Sequence, residues 1–303
     1  MSTRPRPKRA PSKRSTVKRA RPRRASSGPS PLAAARAALG RVPTAAWVCA
    51  AVAFVNAACW SFVMPPFQAL DEPDHFAYVQ ELAENGRLPS STNSEFSPEE
   101  QLALEDLHHQ QVRFRPAGHT IFSAAEHSKL ESDLGQQPSR SGPGGAGVAT
   151  SEPPLYYALE TIPYELGSGG SILDRVALMR LLSVLFGAVT ALFVFLFIRE
   201  VLPARRWAWT VGGLGAALAP LFGFSTSTVN PDAMLFALSA AVFYCLARAF
   251  RRGLSQRLAL TIGAVCAVGS LTKLNFLGLA PGILLALVVL TRREARLHGR
   301  GVY

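Results

Sequence analysis

Acidic residues are nearly absent from most of this 303-residue chain. Only 20 Asp and Glu stand against 32 Lys and Arg, a net charge of +12, and 17 of those acids lie between Asp71 and Asp174. Thirteen basic residues fall between Arg4 and Arg41 with no acid among them. Cysteine is also scarce. Cys49, Cys59, Cys245 and Cys266 all sit in apolar runs and none lies in the acidic segment. That placement excludes a disulfide framework, and the four read as small core residues. There is no glycine-rich phosphate loop after a strand, no zinc-ligand spacing and no GxSxG nucleophile motif. His108, His109, His119 and His127 have no metal-ligand pattern and read as solvated loop residues.

What is present is 49% hydrophobic residues, gathered in long runs separated by arginines. A net positive charge suits a nucleic-acid binder or a membrane protein, and the clustering of the charge favours the membrane. The fold class expected is all-α, a polytopic membrane bundle of about six transmembrane helices with a large extracytoplasmic first loop. Residues 1–42 form a disordered basic tail that holds the N-terminus in the cytoplasm, and no nucleic-acid partner is expected. Residues 43–64 carry the first span, long enough for a bilayer of ~30 Å. Residues 65–174 are the acidic loop, with 17 acids against five basic residues. Five further spans are expected at Val176–Ile198, Trp207–Phe224, Ala233–Phe250, Leu258–Leu271 and Phe276–Thr291, the fourth of these being short for a crossing. Residues 292–303 return to the cytoplasm as a second basic tail. The connectors "REVLPARR" and "RRGLSQR" are basic and "STSTVNPD" and "TKLN" are not, so the parity of inside and outside holds at every loop.

Within the loop, "EPDHFAYVQELAEN" reads as an amphipathic helix ended by Gly86. Pro98–Gln111 is polar and partly helical. "GQQPSRSGPGGAGVATS" reads as a linker that cannot pack. "EPPLYYALETIPYEL" suits a segment at the membrane surface, where tyrosine rings are favoured.

On this topology, ionisable groups from four places in the chain reach one face. They are Asp71, Glu72, Asp74 and His75 after the first span, Arg175 and Arg180 at the start of the second, Asn230 and Asp232 before the fourth, and Lys273 and Asn275 before the sixth. Polar groups beside apolar spans are costly and ask for a reason. Plainer readings exist. Asp71 would cap the helix, with Glu72 and Asp74 favouring its positive end. The two arginines would snorkel to lipid headgroups, and Asn230-Pro231-Asp232 would be a turn.

The pattern resembles the integral-membrane glycosyltransferases of the GT-C superfamily, in particular the bacterial predicted-membrane-protein class within it that carries a domain-of-unknown-function label. The resemblance rests on "DEPDHFAYVQELAENGRLP", "NPDAMLFALSA" and "GSLTKLNFLGLAP", in order, and covers roughly Pro43 to Thr291. Glu152, in "SEPPLYY", stands where many relatives have histidine. Relatives have ten or more spans, so the resemblance implies that this chain is the N-terminal half of such an enzyme. It also implies transfer of a hexosyl or pentosyl group from a polyprenyl-phosphate donor to an envelope glycan or protein acceptor outside the cytoplasmic membrane. Asp71 is the candidate base, with Glu72 the second choice. Arg180 or Lys273 would hold the phosphate, and Asp74, His75, Asn230 and Asp232 would complete substrate binding. Asp71, Asp74 and Asp232 are hard oxygen ligands of the kind that suit Mg²⁺ or Mn²⁺, though the resemblance does not fix a metal. The other classes open to this sequence are a transporter or flippase, and a non-catalytic membrane scaffold.

Overall fold

The computed structural model describes residues 36, 39–69, 71–90, 92–113 and 123–299. The chain divides into two units, Met1–Val42 and Pro43–Tyr303. All elements below belong to the second. Most of the basic tail expected to be disordered lies outside the described residues, as does His119. Among the described residues every regular element is helical.

Helix α1, Thr44–Val63, runs through the first apolar stretch and buries a face of small residues, Ala46, Cys49, Ala50, Ala53 and Ala57. Small side chains let helices in a bilayer approach closely, where packing drives association. The partners are α7, Ile172–Val201, and α8, Arg206–Ala217. The approach is tight. A Cβ on Gly213 of α8 would stand 2.9 Å from the Cys49 sulfur. Cys49 and Cys245 are buried as expected, but Cys59 is exposed on α1.

The stretch expected as one span at Trp207–Phe224 is broken. α8 stops at Ala217, and a separate helix, α9, Pro220–Ser225, begins with proline at its first turn. Proline lacks the N–H that would continue the ladder, and it suits a helix start. The carbonyl left at the break is satisfied by Asn56, whose Nδ2 donates to Ala217 O at 3.0 Å. Helix α10, Asp232–Arg252, and helix α11, Gln256–Thr272, follow. A 3₁₀ turn at Leu274–Leu279 then leads into α12, Ala280–Gly299. Among the described residues four helical stretches are long and apolar enough to cross a membrane: Thr44–Val63, Ile172–Val201, Asp232–Arg252 and Leu274–Arg296. The 17 residues of α11 fall short of that length. At 1.5 Å per residue they span about 25 Å. The architecture is an all-α membrane bundle.

Between α1 and α7 the polar loop folds into a helical cap. Its elements are α2 (Glu72–Asn85), α3 (Pro98–Asp106), α4 (His109–Val112), α5 (Ala124–Gly135), a 3₁₀ turn (Gly147–Ser151) and α6 (Leu155–Leu166). Gly86 ends α2 in the left-handed conformation, as its permissive backbone allows. The cap has its own core, in which Phe67, Phe76, Val79, Tyr156 and Tyr164 meet Ile172 and Met179 of α7 and Met234 of α10.

Two expectations about this loop fail. The glycine-rich linker packs. Gly144 O accepts from Ser90 N at 2.8 Å, and Gly145 N donates to Glu95 O at 3.0 Å. Glycine makes this contact sterically feasible, since a Cβ at Gly145 would lie 2.6 Å from the Glu95 backbone. Composition described the segment's intrinsic flexibility but not the surface it lies on. The tyrosines of α6 do not face the membrane surface either. Tyr156, Tyr157 and Tyr164 are buried in the cap, and the large apolar side chains that α6 exposes are Ile162 and Leu166.

Candidate functional site

The site begins at the turn after α1. Phe67 and Asp71 both have positive φ, 61° and 64°. Non-glycine residues rarely adopt this conformation, and it persists only when the surroundings impose it. The backbone on the Phe67 side of this turn is bonded to one ion pair. Glu72 is fully buried, and Arg180 of α7 lies against it, donating from Nε and Nη2 at 2.7 and 2.6 Å. Glu72 also accepts the amides of Phe67 (2.9 Å) and Val229 (3.0 Å). Arg180 further donates to the carbonyls of Ser61, Met64 and Pro65 at 3.0, 2.7 and 3.0 Å. The pair therefore joins the end of α1, the turn, α2, α7 and the segment before α10. Both Glu72 oxygens and the whole guanidinium are engaged, and Arg180 does not snorkel.

Arg175 does not snorkel either. It is fully buried and pairs with Glu99, with Nη1 donating to the Tyr164 hydroxyl at 2.7 Å. Glu99 also accepts from Gln80 at 3.0 Å. This second network binds the start of α7 to α2 and α3.

Asp71 sits at the N-cap of α2, but its side chain makes no capping hydrogen bond. Its carboxylate is partly exposed and is not consumed by the helix, contrary to the capping expectation. Asp74, one turn on, is buried and accepts from Arg113 Nη2 at 3.3 Å. Burial raises its pKa, with the Asp71 charge adding to the rise and Arg113 and the Val148 amide opposing it. A strap crosses this carboxyl at Gly147, where φ is +47° and a Cβ would stand 2.0 Å from Asp74 Oδ1.

His75 is buried, with Nδ1 2.9 Å from the Tyr157 hydroxyl. Burial, reinforced by the Lys273 charge, pushes its pKa down to about 3. The imidazole is therefore neutral at physiological pH. Tyr157 stacks on Tyr78 at 3.7 Å between ring centres. Its hydroxyl pKa is raised by burial and then by the charges of Glu152, Asp232 and Asp74, together with Tyr78. Lys273 pairs with Asp232 at 2.8 Å. Asn230 Oδ1 accepts the Asp232 amide at 2.8 Å, completing the turn before α10.

The structure thus brings Asp74, His75 and Asp232 around Tyr157, with Lys273 joined through Asp232 and His75 and Asp71 beside Asp74. It places Glu72 and Arg180 beneath them as a clamp, and Asn230 in the supporting turn. Tyr157, Tyr78 and Arg113 are members that the sequence reading did not select. The one available signal for Tyr157 was a Tyr-Tyr pair in the first turn after Pro-Pro. His109, expected to be solvated, is buried against the site, and burial and Arg113 lower its pKa. His108 and His127 behave as expected, partly exposed beside Glu126 and Glu131. Among the described residues no three His, Cys, Asp or Glu gather closely enough to hold a metal ion. Asp71, Asp74 and Asp232 do not form a ligand set for Mg²⁺ or Mn²⁺, since Asp232 is engaged by Lys273.

These features define a helical membrane protein with a buried polar site where its cap meets the bundle. The family described as "Predicted membrane protein (DUF2142)" matches residues 54–300, and the chain belongs to it. No curated protein and no solved structure matches the chain.

Proposed function

We propose that this protein is a membrane glycosyltransferase that moves a sugar from a polyprenyl-phosphate donor to an acceptor outside the cytoplasmic membrane. The observation that carries this reading is the Asp71 carboxylate. It stands in a strained backbone conformation, makes no bond to its own helix, and lies among groups with perturbed protonation. Strain and shifted pKa values concentrate at working sites. The orientation in this reading rests on the arginine-rich connectors at the opposite end of the bundle, which favour a cytoplasmic N-terminus and an outer cap.

In this reading Asp71 takes the proton of an acceptor hydroxyl as its oxygen attacks the anomeric carbon. The bond from that carbon to the phosphate oxygen breaks, and the lipid phosphate leaves with the electron pair. Lys273 is the cation for that phosphate, because it is paired with Asp232 through a single contact and can exchange partners. Arg180 does not serve, since its donors are occupied. His75, neutral and held by Tyr157, offers hydrogen bonds to sugar hydroxyls without adding charge. Glu72 positions the turn and is not the base. A transporter reading calls for ionisable groups at mid-depth along a path, whereas the ion pairs described here lie at the two ends of the bundle.

The test is Asp71→Asn in the full-length chain, with transfer measured from a polyprenyl-phosphate sugar. Loss of a general base costs roughly 10²–10⁴-fold in rate. Asparagine tolerates the left-handed conformation, so unfolding should not change. Wild-type rates in this variant would overturn the assignment of the base.

A further inference from the structure

A second hollow lies away from the cap, between α7, α10 and the start of α12, with a volume of about 630 Å³. Its walls are apolar, including Phe197, Phe243, Leu246 and Ile283. Two glycines, Gly278 and Gly282, line it, and a Cβ at either would meet nothing within 4 Å. Both glycines therefore face open space inside the trough. At its mouth stand Glu200 and Arg251. Glu200 is buried and carries two guanidinium groups, Arg251 at 2.9 Å and Arg252 at 2.8 Å. The triad therefore has a net positive charge, and Arg251 remains 41% exposed. The described residues of this end of the bundle carry ten arginines and two glutamates, so the surrounding field has the same sign.

A hydrocarbon-lined trough with a cation at its mouth matches a ligand with an apolar chain and an anionic head. We infer that this trough is a binding site for an anionic phospholipid, its acyl chain against Gly278 and Gly282 and its phosphate at Arg251. Basic pockets between transmembrane helices recognise such headgroups, and a neutral lipid would gain the apolar contact alone. The site is independent of the glycosyltransferase reading.

The experiment uses the purified full-length chain. Bound lipid is counted by native mass spectrometry after titration with phosphatidylglycerol or phosphatidylcholine, and melting is followed in parallel. One interfacial cation should favour phosphatidylglycerol by about fivefold. Arg251→Gln should abolish that preference, with Arg252 still holding Glu200, while Arg251→Lys should retain most of it. Gly282→Leu, which fills empty space, should reduce retention of both lipids without lowering the melting temperature. The inference is overturned by equal retention of the two lipids on the wild type, or by a preference that survives Arg251→Gln. It is also overturned if inorganic phosphate alone gives the same stabilisation, or if Gly282→Leu changes oligomeric state and leaves lipid retention intact.

Discussion

Replacing Arg180 with methionine would leave the Glu72 carboxylate fully buried with no cation, and would free three backbone carbonyls at the end of α1. Breaking a buried pair by removing one partner costs about 3–5 kcal/mol. Whole-domain stabilities are only about 5–15 kcal/mol, so this one change would remove a large part of the total. Glu72→Gln keeps an acceptor for only one of the Phe67 and Val229 amides, which bond to different carboxylate oxygens, and loses the charge-assisted bonds, at about 1.5–3 kcal/mol or more. The double variant Glu72→Leu with Arg180→Met removes both charges together. It should cost clearly less than the sum of the Glu72→Leu and Arg180→Met losses measured singly, with a coupling of about 2 kcal/mol or more. Unfolding in mixed detergent micelles, followed by tryptophan emission, reads all of these, and Trp60 reports from the last turn of α1. Additive single costs, or an Arg180→Met cost below about 1 kcal/mol, would refute the idea of a buried clamp. The same series separates positioning from chemistry. Glu72 variants should lose activity together with stability, whereas Asp71→Asn should lose activity alone.

The pH dependence of stability has a definite sign. His75 is neutral in the fold down to about pH 3, whereas in the unfolded chain it titrates near 6.5. Its contribution is complete above pH 6.5 and is lost as pH falls from there toward 3, by about 2 kcal/mol at about pH 5. Denaturant titrations of wild type and His75→Gln at pH 7.5 and 5 should differ by this amount, and parallel curves would contradict it. Gly147→Ala places a Cβ against Asp74 at a positive φ and should destabilise by roughly 1–3 kcal/mol, with protease nicking of residues 142–147 as a second readout. Single cysteines introduced between Gly135 and Ser151 should react with an impermeant maleimide from outside the cell, and protection there would reverse the proposed topology.

The apolar runs and the arginines between them made the bundle legible, because both follow from the solvents on either side of each helix. Hydropathy did not reveal the break between Ala217 and Pro220, since it averages over side chains and does not see a missing backbone donor. The glycines of residues 142–147 looked like a flexible linker because composition cannot show what a glycine faces. Glu72 and Arg180 were both singled out, but their pairing joins residues 108 positions apart, and no local pattern encodes it. That pairing engages both Glu72 oxygens, which is why the proposed function gives Glu72 a positioning part and leaves the base to Asp71. Tyr157 and His109 were passed over for the same reason, as their significance comes from partners on other helices.

The clamp also has a consequence for how the protein is made. Glu72 is synthesised 108 residues before Arg180 and 157 before Val229. At about 5–20 residues per second, the carboxylate waits roughly 5–20 s for its cation. Until α7 is in place, nothing neutralises Glu72 or holds the turn at Phe67 and Asp71. The acidic turn can therefore reach its bonded shape only after the second apolar stretch has joined the fold, which gives assembly an order.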